Sequence, residues 1–190
     1  AVLRPGETLL VTGAAGGIGL AAVQIGHALG AHVIAACSSE DKMHIAKQHG
    51  ADIAIHTGED DVREAVKSLT GGAGADVIFD PVGGDLAQSL ARSTAWNGRW
   101  LVIGFAEGVI PKIPLNLPLV KGYSIVGVFW GSFCDRDPAQ ARANHRELFD
   151  MAANGGVTPH LHAVMPLKEA SDALSQIERR EVRGKIVLKP

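Results

Sequence analysis

The chain has 190 residues, 46% of them apolar, and its 18 basic and 20 acidic side chains leave a formal charge of −2. That length and apolar content provide for one sizeable core, and the near balance of charge, with no basic stripe or block of like charge, argues against a nucleic-acid or membrane-surface protein. No apolar stretch exceeds strand length, no signal-peptide pattern opens the chain, and Cys37 and Cys134 are spaced for neither a disulfide framework nor a zinc cage, so a cytoplasmic protein with free buried thiols is expected.

In chain order, Thr8–Thr12 is aliphatic and β-branched, as a strand buried on both faces of a parallel sheet should be. It breaks into A-A-G-G-I-G, starting at Ala14, and then into a helical pattern over Gly17–Leu29. The run is the dinucleotide fingerprint G-x-G-x-x-G with alanine in first place, so Gly16 and Gly19 hold its second and third positions. At Gly16 a missing Cβ would let a pyrophosphate approach, and at Gly19 it would let helix pack closely on strand. The alternative is a tight strand-to-helix turn that binds nothing.

Strands follow at 32–37, 53–57, 75–81, 99–104, 123–130 and 184–188, alternating with helices at about 40–49, 61–69, 86–93, 138–154 and 168–179. Such alternation is the mark of an α/β fold, a Rossmann doubly wound parallel sheet with helices on both faces, and residues 1–190 are expected to form one nucleotide-binding domain. Asp60 or Asp61 and Ser171 suit early helix turns, and Gly30, Gly50 and Gly155 suit helix C-caps. Between Glu107 and Lys121, three prolines among Ile, Leu and Val predict an ordered crossover loop without regular helix. The long apolar segment Tyr123–Trp130 is expected at the sheet edge, where it would pair with a second copy as a homodimer.

The second strand ends Ala35-Ala36-Cys37-Ser38-Ser39, without the carboxylate that bonds a ribose diol and repels a 2′-phosphate. Ser38, Ser39 and Lys42 instead offer hydroxyls and a cation, the groups a phosphate uses, although either serine also suits the helix N-cap. Glu40 and Asp41 partly offset Lys42, and NADP(H) is expected over NAD(H). Asp80 closes an apolar strand and is expected to fix backbone amides rather than transfer protons. His160 and His162 alternate on one extended piece but lack a Cys, Asp or Glu partner for a metal, and no metal site is expected. G-x-S-x-G is absent.

With R-P-G-E-T at Arg4–Thr8, A-K-Q-H-G-A-D at Ala46–Asp52, D-P-V-G-G at Asp80–Gly84, P-L-K-E-A at Pro166–Ala170 and G-K-I-V-L at Gly184–Leu188, nearly the whole chain resembles the cofactor-binding domain of the medium-chain dehydrogenase/reductase superfamily. Within it the resemblance is to the zinc-free quinone oxidoreductase branch related to zeta-crystallin. It implies a pyrophosphate loop at Ala15, Gly16, Gly17 and Ile18, and a 2′-phosphate pocket at Ser38 and Lys42, with Thr57 where relatives often carry a tyrosine. Arg180 matches an arginine that reaches that phosphate, Arg179 or Arg183 substituting in a shifted register. Val82, Gly83, Gly104 and Phe105 match backbone along the ribose and nicotinamide. Phe129 and Trp130 would end the sixth strand near the nicotinamide, Trp130 more as packing than as ligand contact.

The resemblance further implies hydride transfer to a quinone or other conjugated carbonyl, with catalytic residues unassigned and an N-terminal GroES-like domain absent from this chain. Alternatives are an enoyl or enone reductase, a zinc alcohol dehydrogenase, and a non-catalytic nucleotide-binding or RNA-binding module. A methyltransferase would share only the glycine-rich turn.

Overall fold

The computed structural model describes residues 2–190. Thr8–Thr12 (β1) lies inside a six-stranded sheet with His32–Cys37 (β2), Ile53–His56 (β3), Ala75–Asp80 (β4), Thr94–Val102 (β5) and Ser124–Gly127 (β6), in the order β3-β2-β1-β4-β5-β6, all pairs parallel. Successive side chains of a strand face opposite ways, and here each face meets its own core. Leu10, Ile34, Ile78 and Trp100 pack with Val66 and Leu90 of the helices Val62–Leu69 (α3) and Ala87–Ser93 (α4). Leu9, Val11, Val33 and Val77 pack with Val23 and Ala46 of the helices Gly19–Ala28 (α1) and Glu40–Gln48 (α2). The sheet is therefore doubly wound, and its strand order reverses between β1 and β4, where such folds open a crevice at the carboxyl ends of the strands.

Local chemistry sets the element ends. Asp61 caps α3 by accepting from the amides of Arg63 and Glu64, and Gly30, Gly50 and Gly155 follow their helices with φ of 78°, 105° and 75°. Beyond β6 come the helices Trp130–Arg136 (α6) and Pro138–Ala153 (α7), the strand Leu161–Pro166 (β7), the helix Ala170–Glu178 (α8) and the strand Lys185–Lys189 (β8).

Four expectations need correction. The proline-rich segment contains a short helix, Asn116–Lys121 (α5), because Pro118 falls in its first turn, where backbone amides have no intrahelical partner; Leu117 is buried, and Gly122, at φ 63°, ends the helix. The sixth strand stops at Gly127, level with Val102 at the end of its only neighbour β5, so Phe129 and Trp130 start α6 instead of ending the strand. The fifth strand begins at Thr94, five residues early, with a register irregularity against β4. The last strand does not join the main sheet: β8 pairs with β7 in a separate two-stranded parallel sheet.

The segment from Asn154 to His160 ties this C-terminal unit to the α1 and α2 face. The amide of Thr158 donates to Gln24 Oε1 at 2.7 Å, and the rings of His49 and His160 share a hydrogen bond at 3.1 Å. Gly184 then bridges to Gly16 and donates its amide to the carbonyl of Ala15 at 3.0 Å.

Candidate dinucleotide site

Because all six strands run the same way, the turns that follow β1, β2, β4, β5 and β6 leave from one edge of the sheet. That places Ala15, Gly16, Gly17, Ile18, Ser38, Ser39, Val82, Gly83, Gly104 and Phe105 along a single rim, with Phe129 at its β6 end. Ala15 is buried and Ile18 is exposed.

The turn after β1 is held by the Gly16 amide, which donates to the Gly13 carbonyl at 2.9 Å. A Cβ on Gly19 would collide with that same carbonyl and come within 2.8 Å of the Ala14 Cα, so α1 rests directly on the strand end. At Gly16 an added Cβ would meet only the Gly13 oxygen, at 3.2 Å. The turn is thus tightest where helix meets strand, and the first amides of α1 follow directly from it. Gly17 is covered from outside by the stem of Lys185, whose Cδ and Cε lie 2.9 Å from where a Cβ would be.

At the tip of β2, Ser39 is the N-cap of α2, its hydroxyl accepting from the Lys42 amide at 3.4 Å. Ser38 is left free of that task and accepts from Lys42 Nζ at 2.8 Å. Of the two serines that suited the N-cap, the structure uses Ser39. Burial lowers the Lys42 ammonium pKa, and the guanidinium groups of Arg183 and then Arg180 lower it further. Three cations thus converge on the end of β2. Arg183 Nε donates to Asp41 Oδ2 at 3.1 Å, joining residues 142 positions apart. The Asp41 side chain is 68% exposed, and surface pairs of this kind contribute only about 0–1 kcal/mol. Arg180 sits in left-handed backbone at φ 59°, and its carbonyl accepts from Arg183 Nη1 at 3.3 Å.

Arg183 is the group that sequence reasoning held only in reserve. The offset of α8 against the glycine turn is set by the Gly16–Gly184 bridge, and no local pattern signals that bridge. Beneath the turn, burial pushes the Cys37 thiol up to about 11.

Farther along the rim, Asp80 is 2% exposed and fixes backbone as expected. Its Oδ1 accepts from Thr12 Oγ1 at 2.7 Å and from the amides of Val82 and Gly83 at 3.1 Å each, and its Oδ2 accepts from the Trp100 indole at 3.3 Å. One carboxylate thereby ties β1, β4 and β5 to the loop that carries Val82 and Gly83. That loop is bonded to the next one, the Glu107 amide donating to Val82 and the Gly84 amide to Val109, both at 3.1 Å. Phe105 leans on Gly83, where an added Cβ would lie 2.9 Å from the ring. Phe129 is 79% exposed and Trp130 packs edge-on to His145 and against Phe133. His162 and His160 do not act together: His160 bonds His49, and His162 Nδ1 accepts from the Arg183 amide at 3.4 Å. No helix among the described residues is long and apolar enough to cross a membrane.

Quinone oxidoreductase-like protein 2 of Mus musculus is 39% identical over 187 residues, 98% of this chain and 53% of its own length. The NAD-dependent alcohol dehydrogenase of Sulfolobus acidocaldarius is 32% identical over 189 residues, 98% of this chain and 52% of its own. Among solved structures, Escherichia coli quinone oxidoreductase complexed with NADPH superposes with a TM-score of 0.87 at 28% identity, covering 99% of this chain and 58% of that one. The chain spans about half the length of the curated relatives it matches. The sequence pattern of the zinc-binding dehydrogenases matches residues 17–153, and the chain belongs to that family, as a cofactor-binding domain of the quinone oxidoreductase branch of the medium-chain dehydrogenase/reductase superfamily.

Proposed function

We propose that this domain binds NADP(H) in preference to NAD(H) along the carboxyl edge of its sheet, as the cofactor half of an oxidoreductase that reduces a quinone or other conjugated carbonyl. The observation that carries the cofactor assignment is the tip of β2, where Lys42 bonds Ser38 beside two arginines and no carboxylate occupies the last strand positions. The glycine cradle and the first amides of α1 would hold the pyrophosphate, and Ser38, Lys42 and Arg180 the 2′-phosphate. The paired loops carrying Val82, Gly83, Gly104 and Phe105 would orient the ribose and nicotinamide and keep water from that side, with Phe129 at the far end of the rim. When bound, the reduced nicotinamide supplies the hydride. A GroES-like domain would form the opposite wall of the cleft and contribute the acid or base. The E. coli relative solved with NADPH supports this assignment by likeness.

A homodimer joined along β6 fits the same proposal, because Ser124–Gly127 is an edge strand with an open side. A cytoplasmic location agrees with two free cysteines. NAD(H) use is the second reading, favoured by Asp41 at the pocket and by the NAD-dependent Sulfolobus relative.

Titration calorimetry of the domain with NADPH and with NADH tests the assignment. NADPH is expected to bind at least tenfold more tightly, and Lys42→Ala to remove most of that advantage while sparing NADH. Equal binding of the two cofactors would overturn it.

A further inference from the structure

Resting on the dinucleotide assignment above, we infer that the His49–His160 pair is a proton-operated regulatory site for the glycine turn: proton uptake by the pair loosens the hold on the dinucleotide, and a bound dinucleotide in turn resists the proton. The polarity of the relay is set at its buried end. Gln24, 6% exposed on α1, accepts from the Thr158 amide at Oε1, so its Nε2 donates to His49 Nδ1 at 3.2 Å. The His49 proton therefore sits on Nε2 and is donated to His160 Nδ1 at 3.1 Å. Each ring thus spends its one basic nitrogen as an acceptor, and a proton added to either sets two donors face to face.

From the second ring to the turn is a single step. A Cβ on Gly184, at φ 71°, would collide with the His160 carbonyl and lie 2.9 Å from Cδ2 of its ring, and the same carbonyl accepts from the Lys185 amide at 3.0 Å. Gly184 then donates to the Ala15 carbonyl and bridges to Gly16. Gln24 and Gly19 stand on one helix, so the relay joins the two elements that frame the turn, α1 and the tail. Its loss releases the tail, which few other bonds hold.

Solvent reaches the pair through an open cavity of about 460 Å³, lined also by His27, Lys47 and Asp52. Lys47 and, once charged, His27 oppose protonation of His49; Asp52 favours it with a carboxylate whose Oδ2 already accepts from the Val33 amide. His44 is bonded to Gln48, and on the tail side Lys185 and Arg183 flank Gly184, with His162 accepting from the Arg183 amide. Burial and the neighbouring ring keep the His49 pKa below 6.5, so affinity is full above that value and falls as pH drops toward the lower folded pKa.

Calorimetry of the 190-residue chain with NADP⁺ and NAD⁺, the acid-stable forms, at about pH 7.5 and about pH 5 compares the parent with His49→Gln, whose amide accepts from Gln24 and donates to His160 without titrating. The parent is expected to lose about fivefold more affinity on acidification than His49→Gln, for both cofactors alike, as fits the loss of one hydrogen bond. Ionisation of the 2′-phosphate touches only NADP⁺ and cancels between the two proteins. Histidine ring NMR of the parent reads the reciprocal effect: saturating NADP⁺ is expected to lower the proton affinity of the pair by the same factor. Parallel pH profiles for the parent and His49→Gln, or a histidine titration that the cofactor leaves unmoved, overturn the inference while the cofactor assignment stands. Should His49→Gln fail to fold, the titration of the parent decides alone. A parent that binds neither cofactor at about pH 7.5 overturns the assignment and the inference together.

Discussion

The sheet β1–β6 and the C-terminal unit of α7, β7, α8 and β8 use similar apolar residues to opposite ends. In the sheet, Leu10, Val23, Ile78 and Leu90 are fully buried, whereas Phe149, Val164, Leu174 and Ile177 of the C-terminal unit are all more than half exposed. A parallel strand flanked by neighbours and covered by helices on both faces closes its own core; a two-stranded sheet does not, and is marginal without further cover. What holds the second region in place is a short set of polar bonds, Gln24 to Thr158, His49 to His160 and Gly184 to Ala15, rather than a shared core.

The contrast can be broken most sharply from the sheet side. Trp100→Ala removes a buried side chain that also satisfies Asp80, and should cost about 3–5 kcal/mol in urea unfolding. A loss under 1 kcal/mol would mean that the sheet core is not the stability centre. Gly19→Ala forces a methyl onto the Gly13 carbonyl and should cost about 1–3 kcal/mol, together with cofactor binding, since the cradle must open to admit it.

The seam between the regions should respond to acid. Burial, and then the neighbouring His160 ring, lower the His49 pKa from its ordinary value of 6.5. Gln24 Oε1 accepts from Thr158, so its amide nitrogen donates to His49 Nδ1, which requires the neutral ring. The folded state therefore favours unprotonated His49: this contribution is complete above pH 6.5 and fades as pH falls through that value toward the lower folded pKa. Hydrogen exchange corrected for intrinsic rates should quicken at β7 and β8 between pH 7 and pH 5 while β1 stays protected. Uniform protection at both pH values would remove the seam's histidine control. The smallest effect is expected from Leu174→Ser, which should change stability by less than about 0.5 kcal/mol because the side chain is 67% exposed. A cost above 1 kcal/mol would show that α8 packs far more than its exposure implies.

The sequence was most legible where structure is decided within a few residues. β1 and β2 fall on their predicted bounds because aliphatic, β-branched runs end in glycine or serine. Asp61 caps amides two and three residues on with its own carboxylate, the three helix-ending glycines act through their own backbone, and D-P-V-G-G is built around an Asp whose partners include amides two and three residues on. Legibility failed where the partner is distant. Nothing within G-K-I-V-L distinguishes a strand of the main sheet from one that pairs with β7, and the apolar run from Tyr123 gives no sign that β5 has ended at Val102. Proline density misled at Asn116 because the penalty depends on the turn in which Pro118 falls. The phosphate pocket was half legible: Ser38 and Lys42 are neighbours in sequence, while the Asp41–Arg183 pair exists only because Gly184 returns to the first turn of the fold.

That return makes the glycine turn and the chain's last strand partners in one equilibrium. If peeling β8 away requires release of the Ala15 carbonyl and dispersal of the Arg183 cluster, a ligand on the turn opposes the peeling by RT ln(1 + [L]/Kd), and the cost is symmetric. Whatever factor the cofactor adds to protection of the tail, deletion of the tail subtracts from affinity for the cofactor. On the proposed cofactor reading, residues 184–190 would be an energetic component of the nucleotide site, and a truncation that leaves the six-stranded sheet untouched should be read out as weaker binding.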